Sequence, residues 1–364
     1  MSESISAAPP AVPDAALQDL RDRLERVRRV DVAADPGLGG VDGAWLDHLL
    51  DVWAHRYDWR PHEDRIRALP WELVDGATPV RLVHHRVGAG ASTVVLLHGW
   101  PDSVLRFDRV APLLADCNLV IPALPGFPFA APVAERGLPA SGMGAAIGAA
   151  VRRLGYDRYT VSAGDVGTDV AEALLAGSRE HVVSLHFTDV SQYHFLHGLP
   201  GDPTEAELAY VERGRAWQAA EGGYMHEQST KPQTLAVGLG DSPAALLAWI
   251  GEKLRSWTDH GGDLSTVFSD DELLTWVSSY WFTGSIGTSV TPYAVPTPKP
   301  AGRVDVPTVF TVFPRDLVNA PRSFAERLFD VRGFRELPRG GHFAAWEQPE
   351  AYAAGVRDAV ALAR

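Results

Sequence analysis

The sequence is short of five things, and each shortage narrows what the protein can be. It holds one cysteine, Cys117, in 364 residues, so no disulfide can close within the chain. Such usage fits a reducing compartment, and a cytoplasmic location is expected. Positive charge is scarce: 33 Lys and Arg stand against 46 Asp and Glu, a formal net charge of -13. The basic group Arg26, Arg28 and Arg29 reads as the solvated end of a helix, and nucleic acid is not an expected partner, because that binding depends on clustered cations. No apolar run approaches the roughly 20 residues that span a bilayer, so no membrane span is expected. The opening Met-Ser-Glu-Ser-Ile-Ser-Ala-Ala-Pro-Pro lacks the basic start and apolar centre of a signal peptide. Gly-x-Ser-x-Gly, the serine-esterase elbow, occurs nowhere. What remains is 46% hydrophobic and 22% charged residues, without internal repeats or low-complexity tracts, as in a soluble globular protein. The length suits one large domain with an insertion, or two domains.

The most informative stretch runs from Tyr159 to Val170, Tyr-Thr-Val-Ser-Ala-Gly-Asp-Val-Gly-Thr-Asp-Val. Its first half is apolar and β-rich. Its second half opens a helix through Ala171, Leu174 and Leu175 that stops near Gly177. Between them, Ala163, Gly164, Gly167 and Thr168 crowd around Asp165. A strand turns straight into a helix only when the residues at the bend are small, and the apex side chain is then pushed out above the sheet as a nucleophile elbow. Here the apex is a carboxylate, already ionised at pH 7 and able to attack without a base. Its targets are electrophilic carbons, such as those of an epoxide or an alkyl halide. The plainer reading is an Asp that caps a buried helix. The other motifs decide between the two.

Residues 1–13 are rich in Pro and Ala and are expected to fray. Asp14 is expected to cap a helix with Leu17, Leu20, Leu24 and Val27 on one face. A turn with Gly37, Gly39 and Gly40 leads to a second helix bearing Leu46, Leu49, Leu50, Trp53 and Tyr57, which Tyr57 to Pro61 ends. A short third covers Glu63 to Leu69. These predict an N-terminal helical meander over residues 1–70, laid against the main domain. Strands are expected at Glu72–Val74 and Val80–Val87, around the hairpin signal Asp75-Gly76-Ala77-Thr78. More are expected at Thr93–Leu97, Leu119–Ile121, Tyr159–Ser162 and Val182–Phe187. Their alternation with helical stretches predicts a parallel sheet between helices, its first part spanning 71–189. Residues 190–294 lose the alternation: a helix near 205–220, a start at Ser242-Pro243 and a capping box at Ser269 and Glu272 predict an inserted helical lid rich in Trp and Tyr. Sheet character returns in 295–364, at Thr308–Phe313 and near Phe334–Leu337, before a last helix over Pro349–Leu362.

Four further pieces fall where an α/β-hydrolase needs them. His98-Gly99-Trp100-Pro101-Asp102-Ser103 follows a buried strand, so the Trp100 amide can face the site beside the amide of Val166, as two oxyanion donors; His98 itself reads as structural. Arg339-Gly340-Gly341-His342-Phe343 projects a histidine from the loop after the last strand, and the order nucleophile, acid, histidine then runs correctly along the chain. Phe313-Pro314-Arg315-Asp316 offers Asp316 to orient that histidine, with Asp189, after the strand ending at Phe187, as its rival. In the lid, Gly222 to His226 and Tyr280 to Tyr293 supply tyrosines, neutral donors that could hold an oxygen while a C–O bond breaks, or simply pack.

Taken together, His98-Gly99-Trp100-Pro101, Ala123-Leu124-Pro125-Gly126-Phe127, Ala163-Gly164-Asp165, Gly223-Tyr224-Met225-His226 with Thr230-Lys231-Pro232, Tyr280 to Tyr293, Phe313-Pro314-Arg315-Asp316 and Gly340-Gly341-His342-Phe343-Ala344-Ala345 make the chain resemble the microsomal-type epoxide hydrolases from the meander to the last helix. The resemblance implies an α/β-hydrolase fold with Asp165 as nucleophile, His342 as base and Asp316 as acid. It picks Tyr224 and Tyr293, rather than Tyr280, as the ring-opening pair. It implies no cofactor and no metal, a small-molecule epoxide and water as partners, and enzymes that serve detoxification or antibiotic pathways. The chain departs from the family at Val166, where Trp is usual, and at Pro128-Phe129-Ala130, where a Gly and a Ser are usual. The membrane-anchored members also carry an N-terminal span that this sequence does not show.

The expected reaction is therefore hydrolysis of an epoxide to a vicinal diol through an ester on Asp165, with a preference for bulky or aromatic epoxides because Val166 is small. A haloalkane dehalogenase also uses an Asp nucleophile, but needs halide-binding donors. A hydrolase fold kept only as a small-molecule receptor would not require all five catalytic groups. Oligomeric state is not legible, a homodimer being compatible with the sequence.

Overall fold

Eight strands make one sheet in the computed structural model, which describes residues 6–30, 39–133, 137–196, 198 and 201–363. They are β1 (Trp71–Val74), β2 (Val80–His85), β3 (Thr93–Leu97), β4 (Asn118–Pro122), β5 (Tyr159–Ala163), β6 (Val182–Phe187), β7 (Val304–Val312) and β8 (Phe329–Glu336). Their order is β1-β2-β4-β3-β5-β6-β7-β8. The expected parallel arrangement holds from β4 to β8, whereas β1 and β2 pair antiparallel, and β2 pairs antiparallel with β4. The hairpin at Asp75–Thr78 forms as read, with Val74 opposite Val80. Every residue of β3, β4 and β5 is buried, which is why these segments read as unbroken apolar runs.

The two faces of the sheet build two cores. Along β3, Val95 and Leu97 join one, with Val161 and Leu174, while Val94 and Leu96 join the other, with Phe107 and Tyr352. That alternation is the two-residue period of a strand.

The helices follow in chain order. The N-terminal set is α1 (Asp14–Glu25), α2 (Gly43–His55) and α3 (Trp59–Arg67). Two expectations are corrected here. Pro13, not Asp14, is the N-cap of α1, and no side chain caps it. The third helix begins at Trp59, because Asp58 accepts a hydrogen bond from Arg60 N, and Pro61 is tolerated in the first turn, where no intrahelical donor is needed. The expected fraying is also corrected for residues 6–13. This arm is docked by partners distant in sequence: Arg81 donates to Ser6 O at 3.1 Å, Arg67 to Pro9 O at 3.2 Å and Arg60 to Val12 O at 2.8 Å. Ala8 and Val12 pack on the second core. Residues 1–5, and Gly37 of the expected turn, lie outside the described residues.

Between the strands run α4 (Ala140–Arg153) and α5 (Val166–Ser178). They touch closely, since a Cβ on Gly144 would lie 2.6 Å from Leu174 N. Between β6 and β7 come α6 (Tyr193–Leu196), α7 (Glu205–Glu221), α8 (Gly223–Thr230), α9 (Pro232–Asp241), α10 (Pro243–Ser256), α11 (Asp270–Thr283), α12 (Ile286–Ser289) and α13 (Thr291–Ala294). The capping box at Ser269 and Glu272 is present, and so is a second at Thr204 and Glu207 that the reading of the sequence did not note. The chain closes with α14 (Arg322–Leu328), α15 (Ala344–Glu347) and α16 (Pro349–Ala361). Among the described residues, no single helix is long and apolar enough to cross a membrane.

This topology puts chemistry at one edge. The loops after β3, β5, β6, β7 and β8 leave the carboxyl ends of parallel strands, where open α/β sheets bind ligands. They carry Trp100, Asp165, Asp189, Asp316 and His342 in turn.

Candidate active site

Asp165 follows Gly164 in the two-residue bend between β5 and α5, with φ 55° and ψ -135°. A non-glycine at positive φ is uncommon and held only when its surroundings demand it, at about 1–3 kcal/mol. The small residues explain how the bend closes. A Cβ on Gly164 would lie 2.4 Å from Thr188 Oγ1, and one on Gly167 would lie 2.6 Å from Leu97 O. On the facing loop, a Cβ on Gly99 would lie 2.5 Å from the side chain of Asp165. The carboxylate makes no capping bond to α5, so the plain N-cap reading fails. Asp165 Oδ1 instead accepts the Trp100 amide at 2.7 Å. Val166 supplies the first amide of α5, and the Asp165 carboxylate accepts no hydrogen bond from that first turn.

His342 is buried, at 3% exposure, and its Nδ1 meets Asp316 Oδ1 at 2.7 Å. Asp316 Oδ1 also accepts the Leu317 amide at 2.7 Å. The other ring nitrogen, Nε2, stands 3.6 Å from Asp165 Oδ2 and has no hydrogen-bond partner among the described residues. Burial pulls the imidazole pKa down, but Asp316 and then Asp165 outweigh it, and the value is raised. Burial likewise opposes ionisation of Asp316, yet the facing His342 holds its pKa below the usual carboxylate range. The rival acid, Asp189, supports the nucleophile instead. Its Oδ1 accepts the Asp165 amide at 3.1 Å and the Thr168 hydroxyl at 3.0 Å. Burial, with Asp316 and Asp165 nearby, pushes it up to about 7. His98 is a structural residue, as read. Its Nε2 accepts the Leu124 amide at 3.2 Å, and burial pushes its pKa down to about 3, so it stays neutral.

Above Asp165, Tyr224 of α8 and Tyr293 of α13 meet with ring centroids 6.1 Å apart. Trp100 stacks on Tyr224 at 5.5 Å and 7°, and meets Tyr293 edge-on at 6.0 Å. Both hydroxyls have pKa values well above 10, from burial first and the charge of Asp165 second, so both remain protonated donors. Tyr280 does not join them: its hydroxyl donates to Asp102 O at 2.9 Å. Asp165, Tyr224, Tyr293, Asp189 and Asp316 line one cavity of about 50 Å³, with Val166, Met225, Pro292, Leu317 and Val318 as its apolar wall. A wider surface groove between α1, α2 and α10 contains none of these residues. Among the described residues, no three His, Cys, Asp or Glu side chains are grouped to hold a metal ion.

Three supporting residues escaped the sequence reading. Arg106 is buried against Asp102 and donates to His342 O at 2.7 Å. Burial would lower the pKa of its guanidinium, but Asp102 outweighs it and Arg106 stays charged. Their i, i+4 spacing beside the His98–Ser103 motif was the available signal. Trp257 meets both His342 and Tyr224 edge-on, each at 5.1 Å. Glu347 accepts the amides of Asp259, Gly341 and Phe343. Nothing local marks these last two.

Comparison with known proteins gives the family. The family profile described as the epoxide hydrolase N terminus matches residues 5–107. A Stigmatella aurantiaca protein, provisionally named an epoxide hydrolase, is 33% identical over 96% of this chain and 83% of its own length. Epoxide hydrolase 1 of Oryctolagus cuniculus is 27% identical over 99% of this chain and 89% of its own. The solved structure of Aspergillus niger epoxide hydrolase superposes with a TM-score of 0.87 at 27% identity, covering 100% of this chain and 98% of that one. With the α/β-hydrolase sheet, the carboxylate elbow and this relationship over nearly the whole sequence, the chain belongs to the epoxide hydrolase family.

Proposed function

We propose that this epoxide hydrolase works through an ester on Asp165. In the first half-reaction, Asp165 Oδ2 attacks an epoxide carbon. The C–O bond breaks as Tyr224 and Tyr293 hydrogen-bond the departing oxygen, and one of them gives it a proton. In the second, His342 Nε2 removes a proton from water, and the hydroxide adds to the carboxyl carbon of the ester. The resulting oxyanion at Oδ1 is held by the amides of Trp100 and Val166. Collapse breaks the bond between the carboxyl carbon and Oδ2 and expels the diol oxygen, which takes the proton held by His342. Asp165 keeps one oxygen from water, and its carboxyl proton returns to the tyrosine. The net change is epoxide plus water to vicinal diol.

The single observation that carries this reading is the buried, unpartnered Nε2 of His342 facing Asp165 Oδ2. Because Nε2 stands 3.6 Å from Oδ2, a water hydrogen-bonded to Nε2 would be poised over the ester carbon. The charges support the timing. Asp165 helps hold the His342 pKa up, and esterification removes that negative charge. The imidazole thus becomes easier to keep neutral at the step where it must accept a proton.

The wall of Val166, Val190, Met225, Pro292, Leu317 and Val318 supports an apolar group on the epoxide, and the small side chain of Val166 is what favours a bulky, aromatic one. An apolar cavity of about 150 Å³ is the size that takes benzene. The present one is about 50 Å³, so such a substrate requires the wall to move outward.

Intact-protein mass spectrometry with styrene oxide tests the ester. His342→Gln should gain the mass of one substrate and stall, and Asp165→Asn should gain none at early times. Turnover by His342→Gln at the parental rate would contradict the assignment.

A further inference from the structure

Four consecutive main-chain amides surround the candidate base, and each has a partner. Gly340 donates to Asp259 Oδ2 at 2.8 Å, Gly341 to Glu347 Oε2 at 2.8 Å, His342 to Trp257 O at 2.8 Å and Phe343 to Glu347 Oε1 at 2.9 Å. Glu347 Oε2 takes a further donor, the Asp259 amide, at 2.8 Å. One carboxylate therefore joins the loop that carries His342 to the segment that follows α10. The fit leaves no slack: a Cβ on Gly341 would lie 2.5 Å from Trp257 O and 2.8 Å from Asp259 N.

We infer that Glu347 is the positioning residue of the base: its carboxylate clamps the His342 loop to the Trp257–Asp259 segment, and so governs hydrolysis of the ester but not its formation. The inference rests on the two-step reading above. Only a carboxylate suits the place. Three N–H groups converge on its two oxygens, whereas glutamine has one acceptor oxygen and would turn an NH2 group toward a donor. The selectivity follows from separate scaffolds. Asp165 is held through Trp100 N and Asp189, and neither bond involves Glu347. A loosened clamp moves Nε2 against the ester while Asp165 keeps both of its supports and Tyr224 keeps its stacking on Trp100, and a displacement of about 1 Å can cost on the order of 100-fold in rate.

The test separates the half-reactions with styrene oxide, by rapid quench followed by intact-protein mass spectrometry. Glu347→Gln should form the adduct within about twofold of the parental rate and hydrolyse it at least about tenfold more slowly, so that adduct accumulates in the steady state. Asp259→Ala removes the Gly340 acceptor from a side chain 22% exposed, and should act in the same direction with smaller effect. Thermal unfolding is measured alongside. The inference is overturned if Glu347→Gln hydrolyses adduct at the parental rate, or if both half-reactions fall equally. Should Glu347→Gln not fold, Asp259→Ala decides: slower hydrolysis supports the clamp and unchanged hydrolysis refutes it. His342→Gln is the control. If it accumulates no adduct, the two-step reading fails and this inference falls with it; if it does, a negative result at Glu347 counts against the clamp alone.

Discussion

His342 Nε2 and Asp165 Oδ2 lie 3.6 Å apart without a hydrogen bond between them. The distance is beyond hydrogen-bond range. A serine enzyme keeps base and nucleophile in contact because the hydroxyl must lose a proton. Asp165 has no proton to lose, so contact would bring nothing. Base and nucleophile can then be altered separately.

The tyrosines belong to the first half-reaction. Tyr224→Phe and Tyr293→Phe should each slow adduct formation from styrene oxide, and loss of both should cost about 10²- to 10⁴-fold, the usual range for general-acid assistance. Hydrolysis of preformed adduct should change little. Tyr280→Phe is the control: it loses a buried bond to Asp102 O, so stability should fall by about 1 kcal/mol with adduct formation intact. Rapid quench and denaturant unfolding read both, and a kinetic defect confined to Tyr280→Phe would reassign the donor.

The pH dependence should divide in the same way. His342 accepts a proton only when neutral, and its pKa is raised above the ordinary imidazole value. Adduct hydrolysis should therefore be slow at low pH and rise with pH through the His342 value of the ester form, which lies below that of the free enzyme because the Asp165 charge is gone, whereas adduct formation should lack this limb. In Asp316→Asn, burial acts with less opposition, so the limb should move to lower pH while the rate falls. Asp189 and Glu347, each pushed up to about 7 by burial, titrate in the same window, and Asp189→Asn and Glu347→Gln remove those contributions. A limb that vanishes in Asp189→Asn would not belong to His342.

Arg106 and Asp102 carry a stability prediction. Both are buried, at 2% and 0% exposure, and Arg106 also holds the carbonyl of His342. Arg106→Leu leaves Asp102 charged without a partner and should cost about 3–5 kcal/mol in chemical denaturation. Adding Asp102→Asn should restore part of it. Equal losses in the single and double variants would show that packing, not the pair, is responsible.

Much of this site was legible because its constraints are local. Small residues around Asp165, glycines before His342 and the order of the motifs follow from what a strand-to-helix bend and a projecting loop require. Choosing Asp316 over Asp189 was harder, since both follow a parallel strand and only distance in space separates them. Element limits failed for physical reasons. Pro307 reads as a break, yet lies inside β7 at a register shift, so the strand starts at Val304 rather than Thr308. β8 is an edge strand, and Asp330, Arg332 and Arg335 hide its start at Phe329. The docking of residues 6–13 depends on Arg60, Arg67 and Arg81, and no local pattern could announce it.

The small side chain after the nucleophile makes a claim about size. Val166→Trp should fill the wall beside Asp165, lowering kcat/KM for styrene oxide by about tenfold or more while leaving propylene oxide comparatively unchanged, because overpacking excludes the larger substrate first. Specificity constants for both epoxides on both proteins measure this. If the parental enzyme already prefers propylene oxide, or the ratio does not move, Val166 does not set the pocket.

The ester is the centre of the account, and oxygen transfer tests it most directly. One turnover is run in heavy-oxygen water with enzyme in excess over styrene oxide, and the diol and protein are analysed by mass spectrometry. The diol should carry light oxygen, donated by Asp165, and the label should appear in the peptide containing Asp165. A first-turnover diol that already carries solvent oxygen, with no label in that peptide, would mean that water attacks the epoxide directly, and the ester mechanism would be wrong.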